Sequence, residues 1–66
     1  MSNAILRLPT VEARTGLSRS SIYLRMAENR FPKSVKLGNR AVGWSDAEIS
    51  EWIEQRIKDS RAEVEK

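Results

Sequence analysis

The chain has 66 residues, a formal net charge of +3 and neither cysteine nor histidine. A domain of this length buries only about 60% of the surface that its unfolded chain exposes, so we expect one thin hydrophobic core without an enclosed active-site cavity. The missing cysteine and histidine exclude disulfides, thiol or imidazole catalysis and the usual zinc sites. An enzyme would have to work with carboxylates, lysine and hydroxyls alone, and the paired carboxylates Asp46 and Glu48 are explained by helix capping. We expect no enzyme, no metal ion, no other cofactor and no small-molecule ligand. No apolar run approaches the ~20 residues of a membrane-spanning helix, so we expect a cytoplasmic protein.

The charges are divided unevenly along the chain. Up to Trp44, eight basic and two acidic residues give +6, and from Ser45 onward four basic and seven acidic residues give −3. A basic portion next to an acidic one is typical of a face that binds a polyanion, backed by a solvent-facing helix. On charge alone, the alternative that these are ordinary solubilising charges stays open.

The first elements predicted along the chain are a short edge strand at residues 5–8 and a helix from residue 9 to about residue 15. A proline at the start of that helix fits its first turn, and Gly16 is expected to end it in the left-handed conformation. Ser18 then offers the N-cap of a second helix, at about residues 19–29. Two helices joined by so short a turn predict a helix-turn-helix motif, whose second helix enters the major groove of DNA.

Helical spacing divides the second helix into a core face and an outward face. Ile22 and Met26 form the apolar stripe that we expect in the core. Ser20 and Leu24 point the other way, where small side chains permit close approach to a groove and an apolar group meets a thymine methyl. An alternative for Leu24, packing beneath a neighbouring loop, is equally compatible with its position.

The polar side chains of the second helix are assigned to contacts with DNA. Arg19 and Ser20 are expected at base edges or at the flanking phosphates, with Ser18 beside them at the cap. Tyr23 is expected to bond a phosphate or to pack at the rim with a solvated hydroxyl. Arg25 is expected to contact the phosphate backbone.

A β-hairpin with a basic tip is predicted after the second helix. Phe31-Pro32 closes that helix, because a residue before proline is disfavoured in the helical conformation, and Phe31 is expected in the core. Residues 35–44 alternate polar and apolar side chains around a turn, with Val35 and Leu37 predicted to face inward. The tip carries three side chains suited to a wing on the DNA backbone or minor groove: Lys36, Asn39 and Arg40.

A third helix is predicted to close the domain. Ser45 and Glu48 have the spacing of a capping box at its start. An apolar stripe at helical spacing then runs to Ile57, and Trp52 and Ile53 within it are expected in the core.

The domain is expected to occupy residues 5–59. Beyond Ile57 the sequence loses the apolar spacing that would hold a helix to the core, so residues 60–66 are expected to be flexible. Residues 1–4 are expected to form the other flexible terminus.

Several ordered motifs resemble one known family. They are Thr15-Gly16-Leu17-Ser18-Arg19-Ser20-Ser21-Ile22-Tyr23, Arg30-Phe31-Pro32-Lys33, Val35-Lys36-Leu37-Gly38, Ala41-Val42-Gly43-Trp44, and Glu48-Ile49 with Trp52-Ile53. Over about residues 5–57 the chain resembles the AlpA-type prophage regulatory proteins, which are small winged-helix relatives of the excisionases and of the DNA-binding domains of MerR-type regulators. The resemblance implies a mainly α fold with a small β-hairpin, a winged helix-turn-helix, and sequence-specific binding to double-stranded DNA. By motif match, the recognition helix carries Arg19, Ser20 and Tyr23, and the wing carries Lys36, Asn39 and Arg40.

Three functions fit these features. The leading one is a transcriptional regulator of the phage or prophage type, associated with the nucleoid, with a recognition helix at about 19–29 and a wing at 35–44. An excisionase-like recombination directionality factor is the alternative, and a protein-interaction adaptor anchored by Tyr23 and Leu24 is a less favoured third. Because one module covers only a half-site, a second copy of the chain is an expected partner, as a dimer or in cooperative assembly on DNA.

Overall fold

The computed structural model of the protein describes residues 4–64, with side chains as far as residue 62. In chain order the elements are β1 (Ile5–Leu6), α1 (Leu8–Thr15), α2 (Arg19–Ala27), β2 (Val35–Gly38), β3 (Ala41–Ser45) and α3 (Asp46–Val64). The strands form one antiparallel sheet in the order β1-β3-β2. The predicted fold class, mainly helical with a small β-hairpin, is confirmed, and the arrangement is compatible with a winged helix-turn-helix.

The turn between α1 and α2 is built by two local capping residues. Gly16 has φ +76° and its N–H donates to the Glu12 carbonyl at 2.8 Å, which confirms the predicted left-handed end of α1. The Ser18 side chain accepts a hydrogen bond from the Ser21 N–H at 3.2 Å, so the predicted N-cap is also confirmed. Leu17, between the two caps, packs against the core.

The second helix ends earlier than its predicted limit at residue 29. It stops at Ala27, and Asn29 adopts φ +60°. Asparagine enters the left-handed region more easily than most residues, so it reverses the chain two residues before Phe31. Pro32 therefore acts on a segment that has already left the helix.

The register of the sheet decides which side chains face the core. Trp44 on β3 pairs with Leu6 on β1, and Lys36 on β2 pairs with Val42 on β3. Residues directly opposite each other share a face of an antiparallel pair. Because Trp44 is fully buried and both Leu6 and Val42 pack against the core, this face of the sheet is the inner one.

The inward orientation predicted for Val35 and Leu37 is wrong. Val35 pairs with Gly43, which alternates with the inward-facing Val42 and Trp44, and Val35 and Leu37 are 41% and 44% exposed. A Cβ at Gly43 would lie 3.3 Å from Leu37 Cδ1, which places Leu37 on that outer face. A one-residue shift in register moves every side chain of a strand to the opposite face of the sheet. Here the pairing of β2 with β3 fixes the register and therefore the face of Val35.

The core lies between the inner face of the sheet and the three helices. Its fully or almost fully buried members are Val11, Ile22, Phe31, Trp44 and Ile49. Met26, Trp52 and Ile53 pack against them, as predicted. The Trp52 indole lies edge-on to Phe31, with ring centroids 4.9 Å apart, and its N–H donates to the Arg30 carbonyl at 2.9 Å.

The third helix is attached to the rest of the domain at its first turn. Ser45 Oγ accepts from the Glu48 N–H at 3.4 Å, and the Asp46 N–H donates to the Ala4 carbonyl at 2.9 Å. Arg14 of α1 forms an ion pair with Asp46 and donates to Ser50 Oγ at 2.9 Å. Backbone and side-chain contacts therefore fix the start of α3 to the N-terminal part of the chain.

At its other end α3 is longer than predicted and continues to Val64. Gln55 and Arg56 both donate to the Asp59 carboxylate, at 2.9 and 2.6 Å, and such pairs stabilise an exposed helix. Helix α3 thus extends into the C-terminal segment for which flexibility is predicted, and that flexibility stays a prediction. Residues 1–3 and 65–66 lie outside the described residues. Within residues 4–64 no helix combines the length and the apolarity that crossing a bilayer requires.

Candidate nucleic-acid interface

The outward face of α2 consists of small side chains around one exposed leucine. Ser20 and Ala27 are exposed, and Leu24 is 60% exposed. The interpretation in which Leu24 packs beneath a loop is therefore wrong. A face of this kind permits close approach to base edges, and Leu24 supplies an apolar group at its centre.

The N-terminal end of α2 differs electrostatically from that of α3. The first turn of α3 contains Asp46 and Glu48, whereas the first turn of α2 contains no acidic residue and begins with Arg19. Free backbone N–H groups and the helix dipole give a helix N-terminus a partial positive charge. The positive end of α2 and the Arg19 guanidinium therefore attract an anion together.

A stack of side chains connects this end of α2 to the sheet. The Arg19 guanidinium carbon lies 5.7 Å from the centre of the Tyr23 ring. The Tyr23 ring in turn meets Trp44 of β3 edge-on, with centroids 6.3 Å apart and planes inclined by 70°. Tyr23 is 39% exposed, so it lies at the rim of the domain.

The wing formed by β2 and β3 presents its polar side chains to solvent. Lys36, Asn39 and Arg40 are all exposed. Arg40 has φ +62° in the turn between the strands, a conformation that non-glycine residues seldom adopt. The backbone thus holds an arginine at the tip of the hairpin at some cost in conformational energy.

Arg25 is separated from the outward face of α2. At about 100° per residue it lies about 100° around the helix from Leu24 and about 140° from Ser20, and it is half-buried. Its carbonyl accepts from the Arg30 N–H at 2.8 Å, so its backbone helps to end the helix. Among the predicted site residues on α2, Ser18, Arg19, Ser20, Tyr23 and Leu24 lie at its N-terminal end or on its exposed side, and Arg25 lies apart from them.

The ion pairs are found away from the outward face and the wing. Within residues 4–62 they join Arg14 to Asp46, Arg30 to Glu28 and Arg56 to Asp59. In that same part of the chain Arg19, Arg25, Lys36 and Arg40 take part in no ion pair. Within these residues, the basic groups predicted to meet DNA therefore have no carboxylate that a phosphate would have to displace.

Comparison with known proteins identifies the family. Residues 4–57 match the family described as Prophage CP4-57 regulatory protein (AlpA). The chain belongs to this AlpA family. It is 48% identical over 60 residues to the DNA-binding transcriptional activator AlpA of Escherichia coli (strain K12), covering 82% of this chain and 86% of that protein. No solved structure matches the chain.

A phage protein is also similar to this AlpA-family chain. ORF88 of Enterobacteria phage P4 is 42% identical over 52 residues, which are 79% of this chain and 59% of the phage protein's length. The predicted resemblance to AlpA-type prophage regulators is thus confirmed.

Sequence reasoning missed the contribution of Trp44 to the site. The spacing of four residues places Arg19 and Tyr23 on one side of α2, so their stacking was open to prediction from helical geometry. The contact of Tyr23 with Trp44 joins residues far apart in sequence, and no local pattern indicates it. Trp44 therefore supports the site from β3, besides filling the core.

Proposed function

We propose that this AlpA-family chain is a DNA-binding transcriptional regulator of the prophage type and performs no catalysis. In this proposal α2 enters the major groove and the wing contacts the adjacent backbone or minor groove. The supporting observation is the exposed, small-residue face of α2, which begins at an arginine without an ionic partner in residues 4–62. The E. coli relative carries the name of a DNA-binding transcriptional activator. The proposed contact residues are Ser18, Arg19, Ser20, Tyr23, Leu24, Arg25, Lys36, Asn39 and Arg40.

The contacts in this proposal are of two kinds. Ser20 and Leu24 face base edges, and Arg19 lies between a base edge and the flanking phosphate. Lys36 and Arg40 bind phosphates from the wing. The proposed binding unit is the domain at residues 5–59, and two copies, paired or assembled side by side, occupy a complete site in the cytoplasm at the nucleoid.

Salt dependence tests the proposal quantitatively. Each neutralised phosphate contributes a slope of about −0.9 to log affinity against log salt, so the wing contacts from Lys36 and Arg40 alone give about −1.8. Between 50 and 200 mM salt this slope corresponds to an affinity loss of about 12-fold. The bound sequence is first selected from a random DNA pool and then titrated by fluorescence anisotropy. Equal affinity for all DNA tested, unchanged by salt, would contradict the proposal.

Arg19→Ala tests whether α2 contacts bases. If Arg19 binds a guanine through two hydrogen bonds, the substitution weakens binding to the selected site by about 1–3 kcal/mol and has less effect on random DNA. An equal loss on both DNAs assigns Arg19 to a phosphate. Arg61→Ala is the matched control, because it removes the same charge from exposed α3 and is expected to leave the discrimination between the two DNAs unchanged.

A further inference from the structure

Arg19 lies at a position where a positively charged side chain without a partner is unfavourable. It is the first residue of α2, where the positive end of the helix dipole opposes a cation, and the first turn offers it no acidic partner. The favourable neighbour that the structure gives to its guanidinium is the face of the Tyr23 ring, 5.7 Å from ring centre to guanidinium carbon. An aromatic face at this distance attracts a cation. The ring thus favours one of the many conformations open to this side chain.

The Tyr23 ring is itself supported from the sheet. Trp44, which is fully buried, meets it edge-on at 6.3 Å. A buried side chain in a packed core has little freedom to move. Trp44 therefore gives Tyr23 a fixed neighbour. Tyr23 in turn restricts the conformations of the Arg19 side chain.

We propose that Tyr23 is a positioning residue, which orients Arg19 for its contact with DNA through the face of its ring. The inference rests on the proposed DNA binding, and it gives Tyr23 an indirect role through Arg19 in place of the direct contact proposed above. Of the two placements predicted for Tyr23, it takes the ring packed at the rim and not the hydroxyl bonded to a phosphate. A side chain ordered before binding loses less conformational freedom when it binds. The ring then contributes to affinity for the selected site through Arg19.

Substitutions that separate the ring from the hydroxyl test this role. Tyr23→Phe keeps the aromatic face, so affinity for the selected site is expected to stay within about twofold of the unmodified chain. Tyr23→Leu removes the face and is expected to weaken that affinity about two- to fivefold, the fold-change equivalent of an exposed cation–π contact. If Tyr23→Phe loses as much affinity as Tyr23→Leu, the hydroxyl is the contact and the positioning role is refuted.

A double-mutant cycle shows whether Tyr23 acts through Arg19. In the Arg19→Ala background, Tyr23→Leu is expected to have no further effect, because the side chain that it orients is gone. In the matched Arg40→Ala background, which removes a wing arginine instead, Tyr23→Leu is expected to keep its full effect. Additive losses in the Arg19→Ala background would overturn the proposal. Thermal unfolding of every variant excludes losses that come from an unfolded chain.

NMR of the free protein supplies a second measurement that does not depend on DNA. The Arg19 side-chain protons are expected to show ring-current shifts that disappear in Tyr23→Leu and persist in Tyr23→Phe; unshifted protons in the unmodified chain would overturn the stacking. This measurement and the Tyr23→Phe result still decide the question if Tyr23→Leu fails to fold. Failure of the unmodified chain to bind DNA would refute the proposed function, whereas normal binding with an unaffected, folded Tyr23→Leu variant would refute the positioning role alone.

Discussion

Arg40→Gly is expected to stabilise the fold and weaken DNA binding at the same time. Arg40 has φ +62° at the tip of the hairpin, where a side chain with a Cβ costs about 1–2 kcal/mol per residue. Glycine occupies this region without that cost, but it also makes the unfolded chain more flexible. The Arg40 side chain is exposed and has no ionic partner within residues 4–62. We therefore expect the free energy of unfolding to rise by about 1 kcal/mol.

Thermal unfolding and a salt titration measure the two effects of Arg40→Gly separately. For a domain of about 60–100 residues, 1 kcal/mol corresponds to an increase in Tm of about 4–8 °C. Loss of one phosphate contact is expected to make the salt slope shallower by about 0.9. Arg40→Ala is the matched control, since it removes the same charge but keeps a Cβ at positive φ, so it shares the binding loss without the rise in Tm. A Tm for Arg40→Gly that is unchanged or lower would refute the strain argument.

Three further substitutions test single features of the structure. Ser18→Ala removes the N-cap of α2 and is expected to lower the free energy of unfolding by about 1 kcal/mol; an unchanged urea midpoint would show that water replaces the cap. Gly43→Ala places a Cβ against Ile5 and 3.0 Å from the Leu6 carbonyl oxygen, so we expect a loss of about 1–3 kcal/mol, while a wild-type Tm would mean that β1 shifts freely. Leu24→Ala changes an exposed side chain, so the free energy of unfolding should stay within about 0.5 kcal/mol of the wild-type value. Replacing thymine by uracil in the selected site removes a methyl group, and this should weaken DNA binding by the wild type more than DNA binding by the Leu24→Ala variant. An equal loss of affinity for both proteins would exclude a contact between Leu24 and a thymine methyl.

The parts of the fold that were predicted correctly depend on short-range interactions. Gly16 and Ser18 act within one helical turn of their own positions, so the chemistry of each cap is visible in the sequence. Ile22 and Met26 were placed in the core by a helical period that needs no knowledge of the partner surface. The exposed side of α2, on which the candidate site depends, was predicted by the same period.

Two features that the sequence does not predict depend on distant residues. The face of Val35 is set by its pairing with Gly43, and an alternating pattern fits either face until that register is known. The ion pair between Arg14 and Asp46 joins residues 32 positions apart, which a count of charges along the chain does not reveal. The early end of α2 has a local cause instead, because Asn29 adopts the left-handed conformation, which asparagine enters more easily than most residues.

Three features of the free chain that are unfavourable by local rules belong to residues of the proposed DNA-binding surface. Arg19 is a cation at the positive end of a helix, Arg40 is a non-glycine residue at positive φ, and Leu24 is an apolar side chain in water. Such departures from local preference are expected at functional sites. An arginine that serves only solubility needs neither a helix N-terminus nor a positive φ. Arg56, for example, is charged on exposed α3 and is paired with Asp59. A polyanion whose grooves contain apolar methyl groups would stabilise both arginines and cover the leucine, so these departures favour DNA binding over the interpretation of the basic residues as ordinary surface charge.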